Sequence, residues 1–268
     1  MRVGYSYLQE QFADLSNYLA DIAAVVRNGD FTLGTPVADF EKRFAALCRL
    51  PYAIGVANGT DALALSLKSL GVGPGDEVIT VPNTFIATAG AIIMVGARPV
   101  FVDIGADYNM DPARIADAIT DDTKAILLVH LTGNPADMPA IMDVASYFST
   151  DSDRISVVED AAQAILATID GQHVGSWGEA SGFSLHPLKN LNVWGDGGVI
   201  VTRSEWLHSK LRLLRNHGLV SRDEASIFGY NSRLDSIQAA VGLRVMRHVE
   251  RVTQKRISNA AVLDRELD

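Results

Sequence analysis

From residue 52 onward the chain alternates short runs rich in β-branched residues with longer stretches whose apolar positions fall at helical spacing. The short runs predict strands at 53–57, 77–81, 99–103, 124–130, 155–159, 182–185 and 199–202. Helical stretches separate the first five; in 61–70, Leu63, Leu67 and Leu70 share one face. Strand–helix–strand alternation of this kind favours an α/β fold whose sheet has many parallel neighbours and is covered on both sides.

The flanks read differently. A helix is expected over 15–26, then a loop at Gly29-Asp30-Phe31-Thr32-Leu33-Gly34 with a bulky aromatic at its centre, then a helix-like stretch over 39–50. At the far end, 231–251 reads as one long helix continuing toward Asp268 with no capping signal, so a truncated or fragmentary chain is expected. Gly71-Val72-Gly73-Pro74-Gly75 follows a helix and precedes a strand, the reverse of a dinucleotide-binding fingerprint. It is read as helix termination and a turn, which removes the main argument for a nicotinamide enzyme.

At 268 residues the chain holds one large α/β domain with some length left for a smaller element. Apolar content of 48% with ordinary charge content points to a soluble globular protein. A net charge of -9 with no basic stripe argues against a nucleic-acid partner. Cys48 is the only cysteine, which excludes an intramolecular disulfide and a cysteine-based metal site; it reads as a small buried apolar residue. The six histidines show no metal-ligand spacing on one helix face, so no metal is assigned. The N-terminus lacks a signal-peptide core and no apolar run spans a membrane, so a cytoplasmic enzyme is expected.

The chemistry concentrates around Lys189, in Ser184-Leu185-His186-Pro187-Leu188-Lys189-Asn190, between a predicted strand and the turn Gly195-Asp196-Gly197-Gly198. A lysine in an irregular loop there gains nothing from helix or sheet packing, but makes sense as an amine held for Schiff-base formation. Asp160 ends a predicted buried strand; it either caps the following helix or serves a site, since ligands in open α/β sheets bind beyond strand C-termini. Its neighbour Glu159 points to the opposite face and reads as structural. In Asn58-Gly59-Thr60-Asp61 a strand gives way to a helix expected to begin at Thr60 or Asp61, whose free N–H groups suit a phosphate, with the Thr60 hydroxyl adding a donor. Taken alone, an ordinary N-cap explains that segment equally well; Ser184, five residues before Lys189, favours the anion site. Gln163 is either a polar helix residue or a donor to a cofactor ring oxygen. Phe85 either stacks on an aromatic ring or belongs to the core. One amine, one buried carboxylate and a phosphate cradle are what a pyridoxal phosphate (PLP) site requires.

These residues fall in six ordered blocks: 58–63, 73–79, 84–89, 159–163, Lys189-Asn190-Leu191 with 195–198, and 231–235. On them the chain resembles the DegT/DnrJ/EryC1/StrS family of PLP-dependent sugar aminotransferases, from about residue 32 to 243. The resemblance implies a fold-type I, three-layer α/β/α architecture with a mostly parallel mixed sheet and an incomplete small domain. Residues 1–30 would belong to the small domain, 31–245 to the PLP-binding domain, and 246–268 to the start of the truncated small domain. Lys189 looks like the Schiff-base lysine and Asp160 like the partner of the pyridine nitrogen. Gly59, Thr60 and Ser184 look like phosphate ligands, Gln163 like the residue near the ring oxygen, and Phe85 like the stacking residue. Asn231 resembles an asparagine that reaches the neighbouring subunit's cofactor, which implies a homodimer with composite sites. Transamination from an amino acid, glutamate by resemblance, to a nucleotide-linked keto-sugar is the implied reaction. A dehydratase or lyase of the same fold, or a PLP-binding regulatory protein, is the alternative; relatives that become dehydratases replace the lysine by histidine, and Lys189 is present.

Two departures stand out. The family often has Tyr-Gly after the His-Leu of the central strand, where this chain has His130-Leu131-Thr132-Gly133. Family members also usually continue for about a hundred residues into a small C-terminal domain. Phe31, Tyr230, His186 and the loop 132–137 are candidates for the sugar pocket.

Overall fold

The computed structural model describes residues 4, 6–150 and 154–267. Part of the N-terminal stretch that lacks a signal-peptide core (1–3 and 5), and Asp268, toward which the last helix is expected to run, lie outside the described residues. Three helices precede the sheet: α1 (Leu8–Gln11), α2 (Leu15–Asn28) and α3 (Thr35–Leu47). There follow β1 (Tyr52–Val56), α4 (Gly59–Ser69), β2 (Glu77–Thr80), α5 (Ala87–Met94), β3 (Arg98–Phe101), α6 (Pro112–Ala118) and β4 (Thr123–Val129). A short 3-10 turn at Leu131–Gly133 leads to α7 (Met138–Phe148) and β5 (Ser156–Asp160). A small hairpin, β6 (Thr168–Ile169) and β7 (Gln172–His173), precedes β8 (Ala180–Ser184) and β9 (Gly198–Thr202). Helices α8 (Glu205–Leu214), α9 (Ser236–Met246) and α10 (Val249–Leu267) complete the described chain.

All seven expected strands form one sheet, in the order β1-β9-β8-β5-β4-β2-β3. Four neighbouring pairs are parallel, from β3 through β2, β4 and β5 to β8, and β9 runs antiparallel to both β8 and β1. The sheet is therefore mixed and mostly parallel, as expected. Strand periodicity sends alternate side chains to opposite faces. Ala125 and Leu127 of β4 pack with Leu63, Leu67 and Ile92 of α4 and α5, while Ile126 and Leu128 pack with Ile115 and Ile141 of α6 and α7. In β9, Val199 and Val201 join Phe40, Phe44 and Val241, whereas Ile200 joins Leu207 and Leu211 of α8. Burial on both faces explains why the central strands read as continuous apolar runs. Each such side chain contributes about 1.5–3 kcal/mol. Asp111, Asp137 and Ser204 cap α6, α7 and α8 by accepting first-turn N–H bonds, which fixes where those helices begin.

Two local expectations change. The predicted helix over 231–251 is two helices, broken at Arg247 and His248, and 231–235 is not helical. Backbone bridges hold that segment: Asn231 pairs with Asn216 and Asp235 with Thr32. The break follows burial, since α9 places Ala239, Val241 and Val245 in the core, whereas only Val249 of α10 is buried. Helix α4 begins at Gly59 rather than Thr60 or Asp61, because Asn58 is the N-cap, its side chain accepting from Asp61 N–H at 2.8 Å. The β6–β7 hairpin turns on Asp170 and Gly171, both at positive φ (50° and 80°), a conformation that an Asp-Gly pair favours. No helix among the described residues is long and apolar enough to cross a membrane.

Candidate active site

At the C-terminal end of β5 two adjacent carboxylates part company. Glu159, fully buried, accepts N–H bonds from Gly175 (2.6 Å), Trp177 and Gly178 (2.9 Å each) and lies 3.1 Å from His130 Nε2. His130 Nδ1 accepts from Ala136 N–H at 3.0 Å, so the ring proton sits on Nε2 and is given to Glu159. Asp160, 6% exposed, lines the main cleft instead. Its Oδ2 accepts from the Thr88 hydroxyl at 2.7 Å and its Oδ1 from Ala162 N–H at 3.1 Å. Burial pushes the Asp160 carboxyl above its ordinary range; those two hydrogen bonds and the charge of Lys189 pull the other way.

The neighbouring wall is the start of α4. Asn58 caps Asp61, which leaves the Gly59 and Thr60 N–H groups of the first turn without intrahelical acceptors. Gly59 lies against Ser184 at the end of β8: a Cβ on Gly59 would stand 2.8 Å from Ser184 Cβ. A Cβ on Gly198 would collide with the Asn58 carbonyl oxygen. The two glycines thus let the helix start sit directly on β8 and β9, with the Ser184 hydroxyl beside its free N–H groups.

Lys189 stands on the loop between β8 and β9. Leu185 N–H to Gly197 O (2.8 Å) and Val193 N–H to Leu185 O (3.0 Å) close that loop at its base. Asn192, 1% exposed, donates to Pro187 O at 2.6 Å, and Gln238 of α9 exchanges two 2.8 Å bonds with the Trp194 backbone. Burial draws the Lys189 amine below its ordinary value, and the charge of Asp160 raises it in part.

Gly59, Thr60, Phe85, Asp160, Gln163, Ser184 and Lys189 all line one cleft of about 1360 Å³. Phe85 is 74% exposed on its wall, outside the core. Gln163 Oε1 accepts from Thr132 N–H at 2.9 Å, which turns its Nε2 donor away from that loop. Of the residues considered for a sugar pocket, His186, Thr132 and Gly133 reach this cleft, together with Arg256 and Ile257 of α10. Phe31 and Tyr230 are not on its wall. Asn231 is not brought to the cleft of its own chain; it lies with Asp61, Lys68 and Tyr230 on a separate cavity of about 190 Å³.

The donor set fits PLP. The helix start and Ser184 offer N–H and O–H donors that suit a phosphate, Asp160 is a buried carboxylate that favours a cationic partner, and Lys189 is a half-buried amine in the same cleft. Thr88, His130, Asn192 and Gln238 were not singled out from the sequence as site residues. Only Thr84 and Thr88 left a trace, two hydroxyls at i, i+4 in an otherwise apolar helix start.

A model of the DegT/DnrJ/EryC1/StrS aminotransferase family matches residues 14–268. The chain is 43% identical to the pleiotropic regulatory protein of Geobacillus stearothermophilus, over 100% of this chain and 71% of that one. It is 48% identical to the UDP-N-acetyl-3-dehydro-alpha-D-glucosamine 3-aminotransferase of Acidithiobacillus ferrooxidans, over 87% of this chain and 63% of that one. The crystal structure of S. venezuelae DesV in complex with a ketimine intermediate superposes with a TM-score of 0.89 at 41% identity, covering 93% of this chain and 67% of that one. The chain thus spans 63% to 71% of the length of these relatives.

Proposed function

We propose that this chain, which belongs to the DegT/DnrJ/EryC1/StrS aminotransferase family, is a PLP-dependent transaminase that moves an amino group from an amino acid of the glutamate type to a nucleotide-linked keto-sugar in amino-sugar biosynthesis. The carrying observation is the meeting of a half-buried amine, Lys189, and a buried carboxylate, Asp160, in one cleft with the free N-terminus of α4.

Lys189 would hold the cofactor aldehyde, Gly59, Thr60 and Ser184 its phosphate, and Asp160 its ring nitrogen; Gln163 would serve the ring oxygen and Phe85 would stack on the ring. When bound, PLP supplies an electron sink that makes the donor's Cα proton acidic. Burial favours the neutral form of the Lys189 amine, the form that accepts a proton from Cα and later returns one. Asp160 would keep a positive charge on the ring nitrogen by offering a carboxylate that water reaches poorly. The loop clamped by Asn192 and Gln238 keeps the amine at a fixed distance from that carboxylate.

The working protein is a cytoplasmic homodimer with composite sites. Asn231 stands outside its own chain's cleft and in this reading reaches the cofactor of the partner subunit. Residues 31–245 form the cofactor domain, and 1–30 with 246–268 belong to a smaller one. The test is the first half-reaction. Protein loaded with PLP is mixed with glutamate, and release of 2-oxoglutarate with loss of the visible absorbance is expected; the keto-sugar nucleotide that restores it identifies the acceptor. PLP binding without release of the corresponding 2-oxo acid from any amino acid donor would overturn the transaminase reading in favour of a regulatory role, which the name of the Geobacillus relative favours.

A further inference from the structure

Asp160 does not stand alone in the cleft wall. Thr88 gives it a hydrogen bond at 2.7 Å, and Thr88 Oγ1 lies 2.7 Å from Thr84 Oγ1. The two threonines are four residues apart at the entry to α5, Thr88 fully buried and Thr84 on the cleft wall. A hydroxyl has one proton to give and two lone pairs. While Asp160 is ionised it only accepts, so the Thr88 proton is committed to it and Thr84 must donate to Thr88. If Asp160 carries a proton, the same three oxygens are satisfied with both bonds reversed. Asp160 then donates to Thr88, and Thr88 to Thr84, whose own hydrogen turns toward the cleft.

We propose that Thr84 and Thr88 form a two-way hydroxyl relay that holds Asp160 in one orientation through its change of charge when the cofactor binds. Thr88 is the positioning residue and Thr84 its support. The inference rests on the PLP reading of the site. Without a cation, a buried carboxylic acid favours its proton; beside a protonated ring nitrogen it favours its charge. A fixed donor on Oδ2 would suit only the ionised state, whereas the Ala162 N–H on Oδ1 suits both, since Oδ1 accepts whether or not Oδ2 carries a proton; the reversible bond is therefore confined to Oδ2. The other titratable groups facing Asp160 are His130 from the end of β4 and Lys189 from the β8–β9 loop. His130 has both ring nitrogens engaged, with Glu159 and Ala136, so its ring offers the Asp160 carboxyl no hydrogen bond.

The experiment titrates PLP into cofactor-free protein and follows its visible absorbance, then measures kcat and KM for the amino donor across pH. Thr88→Val, nearly isosteric, is expected to bind PLP about tenfold more weakly and to lose about tenfold in kcat at unchanged donor KM. Its acid limb should move to higher pH, because the carboxylate has lost a donor. Thr88→Ser should restore affinity and the pH profile. Thr84→Val should show a smaller change in the same direction, and the double variant should be no worse than Thr88→Val, because the two hydroxyls act in series. A wild-type pH profile and affinity in Thr88→Val, equal impairment in Thr88→Ser, or additive effects of the two valines would overturn the relay. Should Thr88→Val not fold, Thr84→Val carries the test, and an unshifted profile there overturns it. Failure of the wild-type protein to bind PLP would instead remove the function reading on which the relay rests.

Discussion

Glu159 and Asp160, consecutive on β5, face opposite sides of the sheet and have opposite surroundings. Three backbone N–H groups and His130 converge on Glu159, whereas Asp160 receives one hydroxyl and one N–H at the edge of the cleft. The first carboxylate organises the turn at 175–178; the second is left for a cation. Glu159→Gln should therefore destabilise the fold by about 3 kcal/mol, since a buried donor set loses a charged acceptor. Urea unfolding checks this, and an unchanged midpoint would show that the turn forms without it.

Asp160→Asn separates stability from activity. Turnover should fall roughly hundredfold, because a neutral amide no longer holds the ring nitrogen charged. The cofactor-free protein should nevertheless melt higher than wild type at pH 8. Burial raises the folded carboxyl above the ordinary 3.8, so the ionised side chain costs stability at neutral pH. That cost fades as pH falls through the folded value, and the gap between variant and wild type should close on approach to 3.8. A gap that widens with acid would reverse the sign of the argument.

Gly59→Ala and Gly198→Ala test the phosphate cradle at two depths. The first sets a methyl 2.8 Å from Ser184 Cβ, where the serine has to yield; PLP affinity should fall with little change in melting temperature. The second drives a methyl into the Asn58 carbonyl, so the start of α4 itself is displaced. Both affinity and stability should suffer there, the latter by about 1–3 kcal/mol. Calorimetry with and without PLP distinguishes the two outcomes.

Mixing two inactive variants examines the composite site. Lys189→Ala should lose the visible absorbance of lysine-bound PLP, and Asn231→Ala should bind PLP weakly. Heterodimers that join the defects in one site keep the other site intact, so mixing should restore up to about a quarter of wild-type activity by random pairing. No recovery, with subunit exchange demonstrated, would place Asn231 outside the neighbour's site.

Much of this architecture was legible in the sequence. Runs such as 124–130 are apolar because both faces of β4 are buried, and that signal is local. That Lys189 and Asp160 share one cleft was foreshadowed locally: a lysine in a loop without packing use, and a carboxylate at a strand end. Thr88 was not, since its partner lies 72 residues away and nothing near it marks the direction of its hydroxyl. Nor was the break at Arg247 and His248, for no proline or glycine stands between Leu243 and Arg251. There the core ends before the helical pattern does. The antiparallel course of β9 likewise depends on which strands meet, not on the composition of Val199, Ile200 and Val201.

The seat of β9 between β1 and β8 has a temporal consequence. Tyr52 meets Thr202 and Val56 meets Gly198, so β1 leaves the ribosome well before β9 and waits for it before that edge is covered. Such distant pairing is slow to form. The same closure lays Gly198 under Asn58 and brings residues 58–60 beside Ser184. A nascent chain shorter than this therefore has no pocket to fill, and capture of vitamin B6 marks a chain whose sheet has already been zipped shut.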